Sequence, residues 1–181
     1  MLKRLLGAYL DRFGRRWDYD VSYARDVLNA DLRAFLIFGR TQGLGQYRRG
    51  VPREAWFAAK IVTVLDEDCG PCTQLMVNMA EQGGVMPEVL RAILDGNIAA
   101  MPADVALAYR FADAVRRRSP DADELRDAVI GSWGQRGLIS LAFAITASRL
   151  YPTVKFALGH GQSCRRVTIG GSSQPVQRRA A

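Results

Sequence analysis

The sequence predicts an all-α fold, and three observations lead there. Apolar residues recur at helical spacing along most of the chain, no stretch alternates convincingly with period two, and prolines and glycines fall where helices begin and stop. Hydrophobic residues make up 49% of 181, enough for a packed core, and the length suits one domain.

Residues 2–13 place Leu2, Leu5, Leu6, Tyr9, Leu10 and Phe13 on one helical face, with Lys3, Arg4, Asp11 and Arg12 on the other. Such an arm can lie on an anionic membrane; packing on its own core or on a neighbouring subunit is the preferred reading. Asp20 to Gly39 reads as a second helix that buries Val27, Leu28, Leu32, Phe35, Leu36 and Phe38. The glycine-rich stretch 41–52 is a connector, and Pro52 suits the first turn of a third helix running through Trp56, Phe57 and Ile61 to about Leu65. A fourth helix carries Leu75, Met76 and Met79 and stops at Gly83-Gly84. Pro87 opens a short helix to Leu94, and Pro102 another to Arg118. Beyond Ser119-Pro120 comes a helix through Leu125, Val129 and Ile130. A last long helix then holds Leu138, Leu141, Phe143, Ile145 and Leu150. Pro152 is expected to kink or end it, since proline lacks the N–H that an interior position donates, with Val154 to Leu158 able to continue it for a turn or two. Residues 1–168 are expected to form a single all-helical domain, and residues 169–181 a flexible tail rich in glycine, serine and arginine.

The formal charge is +7, concentrated at Lys3, Arg4, Arg12, Arg15 and Arg16 and again at Arg165, Arg166, Arg178 and Arg179. It reads as a solubilising surface, because no nucleic-acid-binding motif or aromatic-basic stacking pattern accompanies it. The opening segment is too charged for a signal peptide, and the uncharged run between Arg136 and Arg149 is too short to span a bilayer. A cytoplasmic location is expected. In that reducing compartment a close cysteine pair is more often catalytic or metal-binding than structural.

The chemistry-bearing motif is Cys69-Gly70-Pro71-Cys72. Two cysteines at this spacing on a helix start can form a disulfide, and the unpaired N–H groups there stabilise a thiolate, the nucleophilic form. Pro71 stiffens the turn. Asp66, Glu67 and Asp68 oppose the thiolate by like-charge repulsion, or accept the thiol proton. The alternative is structural zinc: His160 and Cys164 could complete a Cys₃His set with Cys69 and Cys72. Zinc knuckles, however, usually sit in loops.

A helical chain with a CxxC opening a helix, after an acid-bearing helix, resembles the AhpD-like (alkyl hydroperoxidase D) branch of the carboxymuconolactone decarboxylase superfamily. The resemblance covers about residues 50–115 and is best at EDCGPCTQLMVNMA. It implies an AhpD-like helical bundle, assembled as a trimer or hexamer, with a redox-active disulfide and no other cofactor. It implies that Cys72 attacks a hydroperoxide, that Cys69 resolves the sulfenic acid, and that a glutamate–histidine relay takes the proton. The helix-dipole argument by itself favours Cys69, taken as the more exposed of the two. The relay is incomplete here: Met76 stands at the family's histidine position, and the usual glutamate position falls near Phe57. Glu67 is the preferred proton acceptor and Glu54 the second candidate. The sole histidine, His160, either folds back to the site or packs and caps at the C-terminal end.

The expected function is therefore that of a thiol-dependent peroxidase or disulfide oxidoreductase. It would act on a hydroperoxide or disulfide, with an external thiol as reductant, and without nucleic-acid or membrane partners. With the relay incomplete, peroxidase activity is expected to be weak or lost and disulfide exchange to survive. The alternative is a non-catalytic helical oligomer that holds structural zinc or binds a partner.

Overall fold

Helix α5 (Arg53–Asp66) is the axis of the structure, and its sequence explains why. Every residue from Ala55 to Val64 is buried, so this helix has no polar face. It is packed on several sides, against α6 (Gly70–Gln82), α7 (Pro87–Asp95), α8 (Ala103–Arg117) and α9 (Ala122–Ala157). The computed structural model describes residues 1–162 and 166–176 and is mostly helical. Upstream of α5 lie α1 (Leu2–Trp17), α2 (Ser22–Ala30), α3 (Leu32–Arg40) and the short α4 (Gln42–Gln46).

Two apolar cores result. The larger lies around α5 and includes Phe57, Ile61, Val77, Leu90, Ile93, Tyr109, Phe111 and Leu141. The smaller gathers Leu10, Tyr23, Leu28 and Phe35 from the first three helices, and Tyr19 from the turn between α1 and α2, against Leu75 of α6. Helix α6 thus sits between the cores, with Val77 and Ala80 facing one and Leu75 the other. Met76 and Met79 touch both. The flexible, unbranched methionine side chain suits such a seam.

The structure corrects the expected elements at four places. The helix expected over 20–39 breaks at Asp31, which adopts extended backbone and caps α3 by accepting from the Arg33 N–H. The break re-aims α3, and Leu36, expected in the core, is 41% exposed. The last two expected helices are joined as α9, with a non-helical Gly134 (φ 65°) between its two segments. Residues 42–46 of the expected connector form the short helix α4, while past Pro152 the last helix takes the expected alternative of continuing, as far as Ala157. Finally, residues 169–175 of the expected flexible tail join residues 166–168 in an antiparallel hairpin of β1 (Arg166–Ile169) and β2 (Ser172–Pro175). Gly170 and Gly171, both at positive φ, make the two-residue turn. Val167 and Ile169 alternate inward and are fully buried in the larger core. Residues 177–181 of the expected tail lie outside the described residues.

By length and composition α9 could cross a membrane, and 44% of its most apolar window is buried inside the bundle. On α1, Leu10 is buried, Leu6 and Phe13 are partly buried, and Leu2, Leu5 and Tyr9 remain exposed.

Two lysines, Lys60 and Lys155, are buried among the described residues. Lys60 of α5 is 6% exposed, donates to the Gly45 carbonyl (3.0 Å) and sits 4.0 Å from the centre of the Trp56 ring. Burial pushes its amine down to about 8. Below that pH the amine is charged in both folded and unfolded chains, and the cost of burying it is carried in full. Above it the folded chain sheds the proton while the unfolded chain holds it to 10.5. Stability therefore rises with pH across this window, by about 2 kcal/mol between pH 8 and pH 10. The buried Tyr23 phenol, raised to about 12, reverses the trend above pH 10. Urea midpoints of the wild type and Lys60→Met at pH 7.5 and 9.5 check this: the wild type gains more stability than the variant, which keeps Lys155, whose amine burial also lowers.

Candidate functional site

Cys69 and Cys72 are joined by a disulfide, with Cα atoms 5.3 Å apart. Cys69 is the N-cap of α6 and Cys72 lies in its first turn, after Pro71. The approach is a tight reversal: Glu67 caps the end of α5 and Asp68 adopts the left-handed conformation (φ 48°). The Cys69 carbonyl accepts from both the N–H and the hydroxyl of Thr73 (2.9 Å each). The Gly70 N–H donates to the Gln162 carbonyl (2.9 Å), so the segment after α9 closes over the motif. The two sulfurs pack with Val64 and Met76. Exposure is 5% at Cys69 and 4% at Cys72, so the expected greater exposure of Cys69 is absent.

An open cleft of about 900 Å³ lies against the motif, lined by Gly70 and Pro71, by Gln74 and Gln162, and by Arg15 and Tyr19 among others. The hairpin helps to hold this wall. Gln74 donates to the Thr168 carbonyl and accepts from its N–H, while Glu81 accepts from the Gly170 N–H. The expected frayed tail thus buttresses the cysteine-bearing helix.

The acidic approach is compensated. Asp66 is ion-paired with Arg116, whose guanidinium also donates to Asp113. Glu67, expected to accept the thiol proton, accepts instead from Arg149 Nε of α9 (2.8 Å). Arg116 and Arg149 offset the negative charge that would otherwise oppose a thiolate.

Glu54 lies in the first turn of α5, about 18 Å along the helix axis from Asp66. Arg53 beside it bonds the Gly83 carbonyl beyond the far end of α6, so this end of α5 is not the cysteine end. Phe57 is part of the larger core. His160 does not reach the sulfurs: its Nδ1 meets the Ser22 hydroxyl (3.0 Å) and its Nε2 meets Asp26 (2.8 Å). The ring pins the chain after α9 onto α2.

Of the alternative zinc set, Cys69 and Cys72 are bonded to each other and His160 is held by α2. Cys164 lies outside the described residues. Among the described residues no group of three or more His, Cys, Asp or Glu side chains is arranged to hold a metal.

Sequence reasoning missed two residues here. Tyr19 follows Asp18, whose left-handed conformation (φ 46°) ends α1 and turns the chain, with the Tyr19 N–H bonding Gly14 O. Its ring is held edge-on between Phe13 and Tyr23, and its hydroxyl lies 3.8 Å from Cys72 Sγ. Lys155 of α9 places its ammonium 4.7 Å from the centre of the Tyr19 ring and 5.2 Å from that of Tyr23. It is 1% exposed, and its Nζ has no hydrogen-bond partner among the described residues. No local spacing links residue 19 to residue 72. Lys155 did leave a trace: it is the one Lys, Arg, Asp or Glu between Arg149 and Arg165.

Comparison with protein-family models, with curated proteins and with solved structures gives no match.

Proposed function

We propose that the protein is a thiol–disulfide redox protein that cycles Cys69 and Cys72 between dithiol and disulfide, in the manner of the AhpD-like proteins its motif resembles. The observation that carries this reading is the paired cysteines at the start of α6, buried beside an open cleft. The geometry suits exchange. A helix N-terminus favours a thiolate, two arginines offset the acidic approach, and the cleft brings a reactant to the motif. Turnover is the reduction of a hydroperoxide or disulfide, with an external thiol restoring the dithiol. Acting as a peroxidase, the Cys72 thiolate attacks the peroxide, an alcohol or water leaves, and Cys69 displaces hydroxide from the sulfenic acid to give the disulfide. The exposed Leu2, Leu5 and Tyr9 on α1 favour association between copies of the chain.

The test is to reduce the protein, treat it with hydrogen peroxide, and follow free thiols and intact mass. The expected result is the joint loss of two thiols and two hydrogen atoms per chain, reversed by dithiothreitol. Gain of oxygen without disulfide formation, or no change, sinks the reading.

A further inference from the structure

We infer that Tyr19 and Lys155 form the device that stabilises Cys72 as a thiolate, which makes Cys72 the charge-bearing sulfur of the pair. The inference deepens the redox reading and rests on it.

Three observations converge. The Tyr19 hydroxyl is the polar group recorded against Cys72 Sγ, at 3.8 Å. Flanking rings hold the phenol in place, and burial raises it well above its ordinary value, so it stays protonated and able to donate. The Lys155 ammonium lies over the face of that same ring, buried and without a hydrogen-bond partner among the described residues. A cation there draws electron density from the phenol, which makes its O–H a stronger donor. A buried ammonium is costly unless an anion faces it, and burial lowers its proton affinity while Asp20 partly restores it. In the disulfide the sulfur beside Tyr19 is neutral. Opening the disulfide creates the missing anion.

The step balances. A thiolate of the external reductant attacks Cys69 Sγ, forming a mixed disulfide as the Cys69–Cys72 bond breaks. The electron pair leaves on Cys72 Sγ, which accepts from the Tyr19 hydroxyl within the field of Lys155. A leaving thiol of lower pKa departs faster, so the device speeds this step. A second thiolate of the reductant then attacks the reductant's own sulfur in the mixed disulfide, and Cys69 leaves as a thiolate. In the peroxide direction, the same stabilised thiolate is the nucleophile. Tyr19 touches the reacting atom and is catalytic. Lys155 acts through it and is a positioning residue.

Other ionisable groups surround the cluster. Tyr23 lies on α2 and Tyr151 on α9, both raised by burial. Asp20 precedes α2 and is held below its usual range by the Ser22 N–H. His160 follows α9, and Arg15, Asp18 and Arg166 line the cleft. On the α5 side stand the paired Asp66 and Glu67, together with Asp68. Tyr23 shares a hydrogen bond with the Tyr19 hydroxyl and changes with it; the other groups stay the same in every variant below, and the Cys69 titration run alongside reports any general shift.

The experiment follows thiolate absorbance against pH in single-thiol proteins. Cys69→Ser/Cys164→Ser reports on Cys72, and Cys72→Ser/Cys164→Ser reports on Cys69. Each is made with wild-type residues, Tyr19→Phe, Lys155→Met and Lys155→Arg. The expected result is that Tyr19→Phe and Lys155→Met each raise the Cys72 thiol by about one pH unit, a tenfold loss of thiolate. Cys69 stays in place, and Lys155→Arg restores Cys72. An unmoved Cys72, or equal movement of both cysteines, overturns the inference. Tyr19→Phe keeps the test alive if a lysine variant fails to fold. Equilibration of the wild type with dithiothreitol separates the two levels: a disulfide that forms reversibly alongside unmoved variant titrations removes this device and spares the redox reading. A pair that never forms a disulfide removes both.

Discussion

Cys72→Ser protein is expected to turn over neither hydrogen peroxide nor a small disulfide above the uncatalysed rate. Cys69→Ser is expected to stop after one oxidation, holding a sulfenic acid on Cys72. The asymmetry follows from the site: Cys72 meets the Tyr19 hydroxyl, whereas the Cys69 side chain, at the N-cap, makes no capping hydrogen bond to the helix. Without Cys72 the attacking thiolate is gone. Without Cys69 the attack proceeds once, and no neighbouring thiol captures the product. Thiol consumption under peroxide, with mass spectrometry of a sulfenic-acid adduct, reads both outcomes. Adding Cys164→Ser removes the third thiol as a stand-in. Full turnover by Cys72→Ser would falsify the assignment. These losses are chemical rather than structural, because the bridged residues are only three apart in sequence. Closing so short a loop contributes about 2 kcal/mol in the chain-entropy model. The reduced and serine proteins are therefore expected to keep the helical fold.

The sequence announced the helix starts at Pro52, Pro71, Pro87 and Pro102 because proline's chemistry is local, needing no knowledge of tertiary partners. The structure starts helices at or beside each of these. It was silent on the break at Asp31, where one side chain bonding a backbone N–H outweighs an apolar period that runs on past it. The hairpin escaped for a different reason. Four-residue strands are too short for period two to stand out, although Val167, Ile169 and the Gly170-Gly171 pair carried the signal. At the site, Cys69 and Cys72 were legible because their spacing is itself the geometry. Tyr19 and Lys155 were not, since their meeting depends on how α1 ends and how α9 packs. The proton acceptor was misplaced for the same reason. Adjacency in sequence favoured Glu67, but a carboxylate's role depends on its partner, and Arg149 comes from 82 residues away.

Arg116→Ala is expected to produce the largest loss of stability among the ion-pair substitutions, about 3 kcal/mol. Its side chain is 6% exposed and binds Asp66 at the end of α5 and Asp113 on its own helix. Removing it takes the buried cation from between Asp66 and Asp113 across the α5–α8 contact and leaves the partly exposed Arg117 on Asp113, and breaking a buried pair in this way costs roughly 3–5 kcal/mol. Both aspartates keep some access to water, which places the loss at the lower end. For a domain of this size that is roughly a 6–12 °C fall in melting temperature. The Glu67–Arg149 pair is the control. Arg149 is half exposed, so Arg149→Ala is expected to cost less than about 1 kcal/mol. Asp66 precedes Cys69 by three residues, so Arg116→Ala also uncovers a negative charge beside the disulfide. Thiolate formation should become harder and peroxide oxidation slower at neutral pH, while Arg116→Lys keeps the charge, loses the two-pronged geometry, and recovers part of both. Calorimetry and the peroxide rate, measured on the same samples, are the check. If Arg116→Ala melts no lower than Arg149→Ala, the ion pair at the end of α5 does not brace the approach to the cysteines.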